Sequence, residues 1–327
     1  MDTKSNSREF ELGLISEELA RVEEILYEES RSEAQLIFQV SDYILKSGGK
    51  RFRPALLLLS SKLCGYEGKD AVYYGASIEY AHTASLLHDD VVDEAKLRRG
   101  KPSANSLWGN RESVLVGDYL LFKSFQIILH LGNLQILNLL NEIALQMAEG
   151  EAYQLTRKGN IEVSEAEYFS AIIDKTASLI SASCQIGAIL GEASRREEEA
   201  LADFGLNVGI AFQLVDDALD YKNPGPVWGK EQGKDFKEGK ATLPLIRAYR
   251  VADIKTKQRL KELFTFPTQD NFLEALAIIE ELGGLTYTMD KARQYIETAK
   301  SHLDIFPDSP YKLALDAMAD FVIKRSY

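Results

Sequence analysis

Two stretches of this sequence limit what the chain can become. SLLHDDVVDE (85–94) and FQLVDDALDY (212–221) each set three aspartates into an otherwise apolar run with helical spacing. On a helix, Asp89 and Asp93 stand one turn apart and Asp90 lies three residues from Asp93, so the carboxylates crowd one side. Asp216, Asp217 and Asp220 repeat that spacing. Unit charges ~6 Å apart repel by about 3 kcal/mol at an effective dielectric of ~20, so a fold keeps such clusters only with cations among them. A single D-D-x-x-D in an acidic chain reads as a solvated helix end. Two copies in matching context read instead as two carboxylate-lined helices facing each other. Oxygen-only ligands suit a hard divalent cation, here Mg²⁺, which takes one or two carboxylates and fills its other positions with water and phosphate. The expected ligand is a diphosphate clamped between two acidic helices.

A chain that holds an anion while carrying a formal net charge of -12 must gather its cations locally. The same charge argues against nonspecific nucleic-acid binding, which needs a basic surface. The cations cluster as expected. GGKRFRP (48–54) offers Lys50, Arg51 and Arg53 beside a glycine break; Arg98 and Arg99 follow the first acidic cluster; Lys230, Lys234 and Lys240 follow the second; Lys175-Thr176 interrupts a helical stretch. Metal together with arginine suits a multi-oxygen anion.

With 327 residues, 45% of them hydrophobic, the chain can bury a large core, read here as one domain over 1–327. Cys64 and Cys184 are isolated and read as small buried residues in a reducing compartment. The opening MDTKSNSREF is polar and no run of 18 consecutive apolar residues occurs, so the expectation is a cytoplasmic protein without a membrane span. Helical period runs through almost every segment: about 9–30, 34–47, a helix starting near Pro54, 69–93, 196–222, 242–250, 254–264, 270–281 and 287–303. A last helix has Ser309 as cap and Pro310 as its first residue. Residues 93–109 read as a loop or broken turn, and no sheet is expected. The segments SVLVGDYLLFKSFQIILHLG and LQILNLLNEIALQMAEGEAYQL are apolar on several faces, as in a core or a subunit interface.

GGKRFRP, HTASLLHDDVVDEAKLRRGKPSAN, VLVGDYLL, FQLVDDALD and GKEQGKDFKEGKATLPL, in this order and at these separations, resemble the trans-polyprenyl diphosphate synthases. The resemblance is strong over about residues 40–250. It implies an all-α helical bundle around a deep central cavity, of the isoprenoid synthase type, in a homodimer. The implied reaction is head-to-tail condensation of isopentenyl diphosphate onto an allylic diphosphate such as farnesyl diphosphate. By motif match, Asp89, Asp90, Asp93, Asp216, Asp217 and Asp220 would bind Mg²⁺, about three ions per loaded site, and with them the allylic diphosphate. Arg98, Lys175, Lys230 and Lys240 would hold the same diphosphate. Gly49, Lys50, Arg53, His82 and Arg99 would seat isopentenyl diphosphate. Thr176 and Gln213 would line the space where the bond forms. His88 abuts the motif, and His130 and His302 read as structural. Peripheral membrane contact would serve product release.

The growing product should run down the helix from Asp89, so Ala84 and Ser85, one turn deeper, would set its length. Small side chains there imply an open tunnel. The wording of HTASLLHDDVVDE and GNRESVLVGDYL is most similar to octaprenyl-type synthases that supply quinone side chains; geranylgeranyl or another length stays open. Tyr119, Phe122 and Phe125 are either a deeper floor or ordinary core aromatics. A terpene cyclase or squalene-type synthase would usually lack GGKRFRP, and a non-catalytic regulatory subunit would carry degenerate acidic motifs. A di-iron bundle built on Glu142, Glu149 and Glu151 would need a paired Glu-x-x-His, which is missing.

Overall fold

The structure, a computed structural model, describes residues 13–49, 51–222 and 232–324; Lys50 and Lys230 lie outside the described residues. The chain is all-α. Its helices are α1 (Ser16–Glu29), α2 (Gln35–Lys46), α3 (Phe52–Leu63), α4 (Ala71–Val92), α5 (Ala104–Trp108), α6 (Asn110–Leu131), α7 (Leu134–Arg157) and α8 (Glu165–Ile172). A π turn over Ile173–Ala177 leads into α9 (Ser178–Leu190), then α10 (Arg195–Tyr221), α11 (Lys234–Lys237), α12 (Leu243–Val251), α13 (Ile254–Thr265), α14 (Gln269–Glu281), α15 (Gly284–His302) and α16 (Pro310–Lys324). Two compact units emerge: Met1–Ala144 with Leu179–Gly205 and His302–Met318, and Leu145–Ser178 with Leu206–Ser301 and Ala319–Tyr327.

In the first unit α4 is the central helix, packed against α1, α3 and α6. Leu56, Leu57, Leu58 and Leu59 of α3 are all fully buried, as expected of a helix apolar on every side. Each such burial contributes about 1.5–3 kcal/mol. Polar ties cross this core: Tyr80 donates to the Leu26 carbonyl at 2.5 Å and Ser77 to the Ser124 carbonyl at 2.9 Å. Gly187 of α9 lets the backbones close up, since a Cβ there would lie 2.7 Å from the Leu57 carbonyl oxygen. In the second unit the core is aromatic. Phe236 stands edge-on to Phe264 and Phe272, with Tyr221 beside Phe272.

Helix positions follow the sequence reading closely, and Ser309 caps α16 by accepting the Lys312 amide at 3.1 Å. Two details differ. Residues 93–109 are not all loop: β1 (Leu97–Arg98) pairs antiparallel with β2 (Lys101–Pro102), and α5 follows. Arg99 and Gly100 both have positive φ, 54° and 76°, the twist a two-residue hairpin turn requires. Strands of two residues carry no period for a sequence to display. Second, α6 is long and apolar enough to cross a membrane by length and composition, although Asp118 and Lys123 interrupt its apolar run; a third of that stretch is buried. Leu115, Phe122 and Leu129, seven residues apart, are exposed along it.

Candidate active site

The first acidic cluster closes α4. The Asp93 amide donates to the Asp89 carbonyl at 2.8 Å, so the helical turn persists to Asp93 and sets Asp89 and Asp93 on one side. Both are partly exposed. Asp90 turns inward and is 1% exposed. Arg98 Nε donates to both of its oxygens, at 2.8 and 2.7 Å, and Arg98 Nη2 adds a contact of 2.6 Å. A turn at the helix end explains this pairing. Glu94 has a positive φ of 48° and the Ala95 amide donates to the Asp90 carbonyl at 2.9 Å, which folds the chain back so that β1 delivers Arg98 to a residue eight positions earlier. Asn105 Nδ2 donates to the Asp90 carbonyl at 3.1 Å and ties the following segment to the same turn. His88, one residue before the cluster, sits 3.2 Å from Asp118 on α6.

A basic cradle lies in the same unit. A Cβ on Gly49 would meet Arg51 Nη1 at 2.9 Å and Arg99 Nη1 at 3.3 Å, so the glycine break rests against two guanidiniums. Burial pushes the His82 imidazolium well below its ordinary range, and Arg53, Arg99, Arg98 and Arg51 push it further. The structure thus brings together Gly49, Arg53, His82 and Arg99. Desolvation lowers Arg99 as well; Glu79 opposes this and Arg98 and Arg51 reinforce it. Arg51 itself does not point at a ligand. It starts α3 with φ of 47°, is buried, and bonds Glu23 and Glu79, the latter at 2.8 Å. Within GGKRFRP, spacing alone could not separate this structural arginine from Arg53.

In the second unit, Asp216, Asp217 and Asp220 lie in the last turns of α10. Asp217 is 3% exposed. It accepts from Tyr168 Oη at 2.6 Å and from Gln213 Nε2 at 2.6 Å, and Thr176 Oγ1 donates to Gln213 Oε1 at 3.2 Å. Burial raises the Asp217 carboxyl well above its usual range, with Asp235 adding to the effect and the Tyr168 and Gln213 bonds opposing it. Asp220 accepts the backbone amides of Lys234 and Asp235, at 3.1 and 3.0 Å, so the segment after α10 folds back onto the cluster. Burial and Asp220 push the Asp235 carboxyl up to about 7, against the pull of Lys240. Lys240 pairs with Glu238 at 3.0 Å. Lys175 and Thr176 occupy the π turn, a local widening frequent at functional positions. Lys175 Nζ meets Glu151 at 2.6 Å. Tyr168 and Asp235 are partners that motif spacing did not single out, while Arg51 and Glu151, named only as a cation and as a di-iron candidate, serve here as ion-pair partners. Tyr168 leaves a faint signal, lying two helical turns before Lys175.

Among the described residues no three His, Cys, Asp or Glu side chains converge as a preformed cage. The donor set still fits Mg²⁺, which needs one or two protein carboxylates and takes the rest from water and phosphate. Asp89 with Asp93 in the first unit, and Asp216 with Asp220 in the second, are the partly exposed carboxylates that could serve. Ala84 is 1% exposed within α4, and Ser85 donates to the His82 carbonyl at 2.8 Å.

A sequence model of the family described as polyprenyl synthetase matches residues 34–279. The chain is 39% identical to an octaprenyl diphosphate synthase of Escherichia coli, over 95% of this chain and 97% of that one. A crystal structure of a decaprenyl diphosphate synthase from Rhodobacter capsulatus superposes with a TM-score of 0.93 at 38% identity, covering 98% of this chain and 99% of that one. A polyprenyl synthase from Caulobacter crescentus, solved with calcium and isoprenyl diphosphate, gives a TM-score of 0.94 at 36% identity, with 98% of each chain covered.

Proposed function

We propose, from the premise that the chain belongs to the polyprenyl synthetase family, that it makes an octaprenyl diphosphate for quinone side chains. It is a prenyltransferase of the long-chain trans-polyprenyl diphosphate type, and its substrates are isopentenyl diphosphate and an allylic diphosphate. The observation that carries the chain length is the 39% identity, end to end, with an octaprenyl diphosphate synthase. The small, buried Ala84 on the helix of the first cluster supports it. A length other than eight isoprene units, including geranylgeranyl, is the second reading, since the related synthase from Rhodobacter capsulatus is a decaprenyl one.

Residue roles follow the motifs. Asp89, Asp90, Asp93, Asp216, Asp217 and Asp220 serve the allylic diphosphate and its Mg²⁺, about three ions when loaded. Bound Mg²⁺ would neutralise the leaving diphosphate. Arg98, Lys175, Lys230 and Lys240 add positive charge to the same group, the electrostatic help that a departing anion needs. Gly49, Lys50, Arg53, His82 and Arg99 seat isopentenyl diphosphate. With its imidazolium disfavoured, His82 would act there as a neutral hydrogen-bond partner, leaving the charge to the arginines. Thr176 and Gln213 line the reacting carbons, and the released diphosphate takes the proton lost after bond formation. The whole chain acts as one cytoplasmic synthase domain. It pairs as a homodimer through Leu115, Phe122 and Leu129 of α6, and touches membranes peripherally when its product leaves.

The test is incubation of purified protein with Mg²⁺, farnesyl diphosphate and labelled isopentenyl diphosphate, with products sized by chromatography. Forty-carbon product supports the octaprenyl reading; a different single length replaces it. No incorporation of label overturns prenyl transfer itself.

A further inference from the structure

Tyr168 of α8 is 5% exposed, and its hydroxyl donates to Asp217 at 2.6 Å, the short length of a charge-assisted bond. No motif assigns it a role. Its ring packs against Phe169, centroids 5.5 Å apart, and a phenylalanine would fill the same space. The hydroxyl is therefore not needed for packing; it serves Asp217.

What Asp217 does next is set by hydrogen-bond polarity. The Gln213 amide turns its Nε2 toward Asp217, which accepts from it at 2.6 Å. That leaves Oε1 facing Thr176, and the Thr176 hydroxyl must donate into it, at 3.2 Å. The order Tyr168, Asp217, Gln213, Thr176 is thus one directional chain. It ends on the π turn that also carries Lys175, two helical turns after Tyr168 itself. Without the Tyr168 donor, Asp217 would hold one unmet oxygen in a buried place, next to Asp235 and Asp216. The carboxylate would then swing, and the amide would lose the contact that fixes which way it faces.

We propose that Tyr168 is a positioning residue for prenyl transfer, which fixes the Asp217 carboxylate and through it the orientation of Gln213 and Thr176. The inference rests on the prenyl-transfer reading above and adds a residue to it. Tyr168 touches no reacting atom in this scheme. Through Gln213 and Thr176 its effect should fall on the rate of bond formation, because misplacing a group near reacting atoms costs turnover, and should leave capture of isopentenyl diphosphate, which Asp217 does not hold, unchanged.

The experiment uses the full chain with Mg²⁺, farnesyl diphosphate and labelled isopentenyl diphosphate. Tyr168→Phe should lower kcat about tenfold or more, the scale for losing a hydrogen bond to a charged group, while the KM for isopentenyl diphosphate stays within about threefold. In a Gln213→Met background, where the amide is gone, Tyr168→Phe should cost less than about twofold. A kcat for Tyr168→Phe within twofold of the parent overturns the inference. So does a rise in KM alone, or a full tenfold loss that persists in the Gln213→Met background. A Tyr168→Phe chain that no longer folds, judged by its thermal melt, would make the hydroxyl a packing element and also overturn it. If the parent chain consumes no isopentenyl diphosphate, the prenyl-transfer reading falls first; an active parent with an unaffected Tyr168→Phe variant sinks this inference alone.

Discussion

Arg98 grips both carboxylate oxygens of Asp90, and the two come together because the chain turns back between them at Glu94, with φ of 48°, and Ala95, whose amide donates to the Asp90 carbonyl at 2.9 Å. The arginine is therefore part of the fold of the first acidic cluster as well as a cation beside it. Removing it would strand a carboxylate that is almost wholly buried.

Arg98→Ala should accordingly destabilise the substrate-free protein by about 2–3 kcal/mol. This is below the range for a fully buried pair because Arg98 keeps about a quarter of its side chain in water. Chemical denaturation at neutral pH measures it. A loss under about 0.5 kcal/mol would show that Asp90 finds another partner.

Asp235 makes stability depend on pH. Its folded pKa of about 7 lies above the ordinary aspartate value, so the native state keeps a proton that the unfolded chain releases. That preference is fully present below about pH 4 and is lost as pH rises through 7. Asp235→Asn should therefore raise the stability of the metal-free protein by about 2–4 kcal/mol at pH 8 and change it little at pH 4. Denaturation curves at the two pH values give the comparison; a gain of equal size at both would refute it.

Ala84→Phe should shorten the product. Ala84 lies on α4 about one turn before the first cluster and is closed to solvent; on the proposed tunnel reading an aromatic ring there would shorten the path of the growing chain. Overpacking should cost about 1–3 kcal/mol of stability. Chromatography of the prenyl alcohols after dephosphorylation decides; unchanged length would remove Ala84 from the tunnel.

Phe122→Glu should yield a monomer. Phe122 is 68% exposed at the middle of the seven-residue stripe on α6, a face too apolar to be left bare in water without a partner. Light scattering coupled to size exclusion would read the mass. A parent chain that is already monomeric would contradict the stripe as an interface.

The helices were legible because their apolar faces repeat at the helical period, and the acidic clusters because two copies of one spacing rarely arise by chance. What stayed hidden depends on distance along the chain. Tyr168 and Asp217 are 49 residues apart, and nothing in either segment names the other. Arg51 and Arg53 are two residues apart in a cationic run, yet one is turned inward by a left-handed backbone and two glutamates. The hairpin was missed because its strands are shorter than one alternation. Residues 50 and 230 were read as ligands of the diphosphates and lie outside the described residues.

The π turn at Ile173–Ala177 acts as a phase slip. Its amides reach back five residues instead of four, which inserts one residue into the winding and advances everything after it by about 100°. A helical wheel drawn unbroken from Glu165 to Leu190 would therefore assign the faces of the second half wrongly. Deleting one residue inside the turn would restore regular winding and turn Lys175 and Thr176 away from their present partners, Glu151 and Gln213. At this point of the chain the number of residues matters as much as their identity.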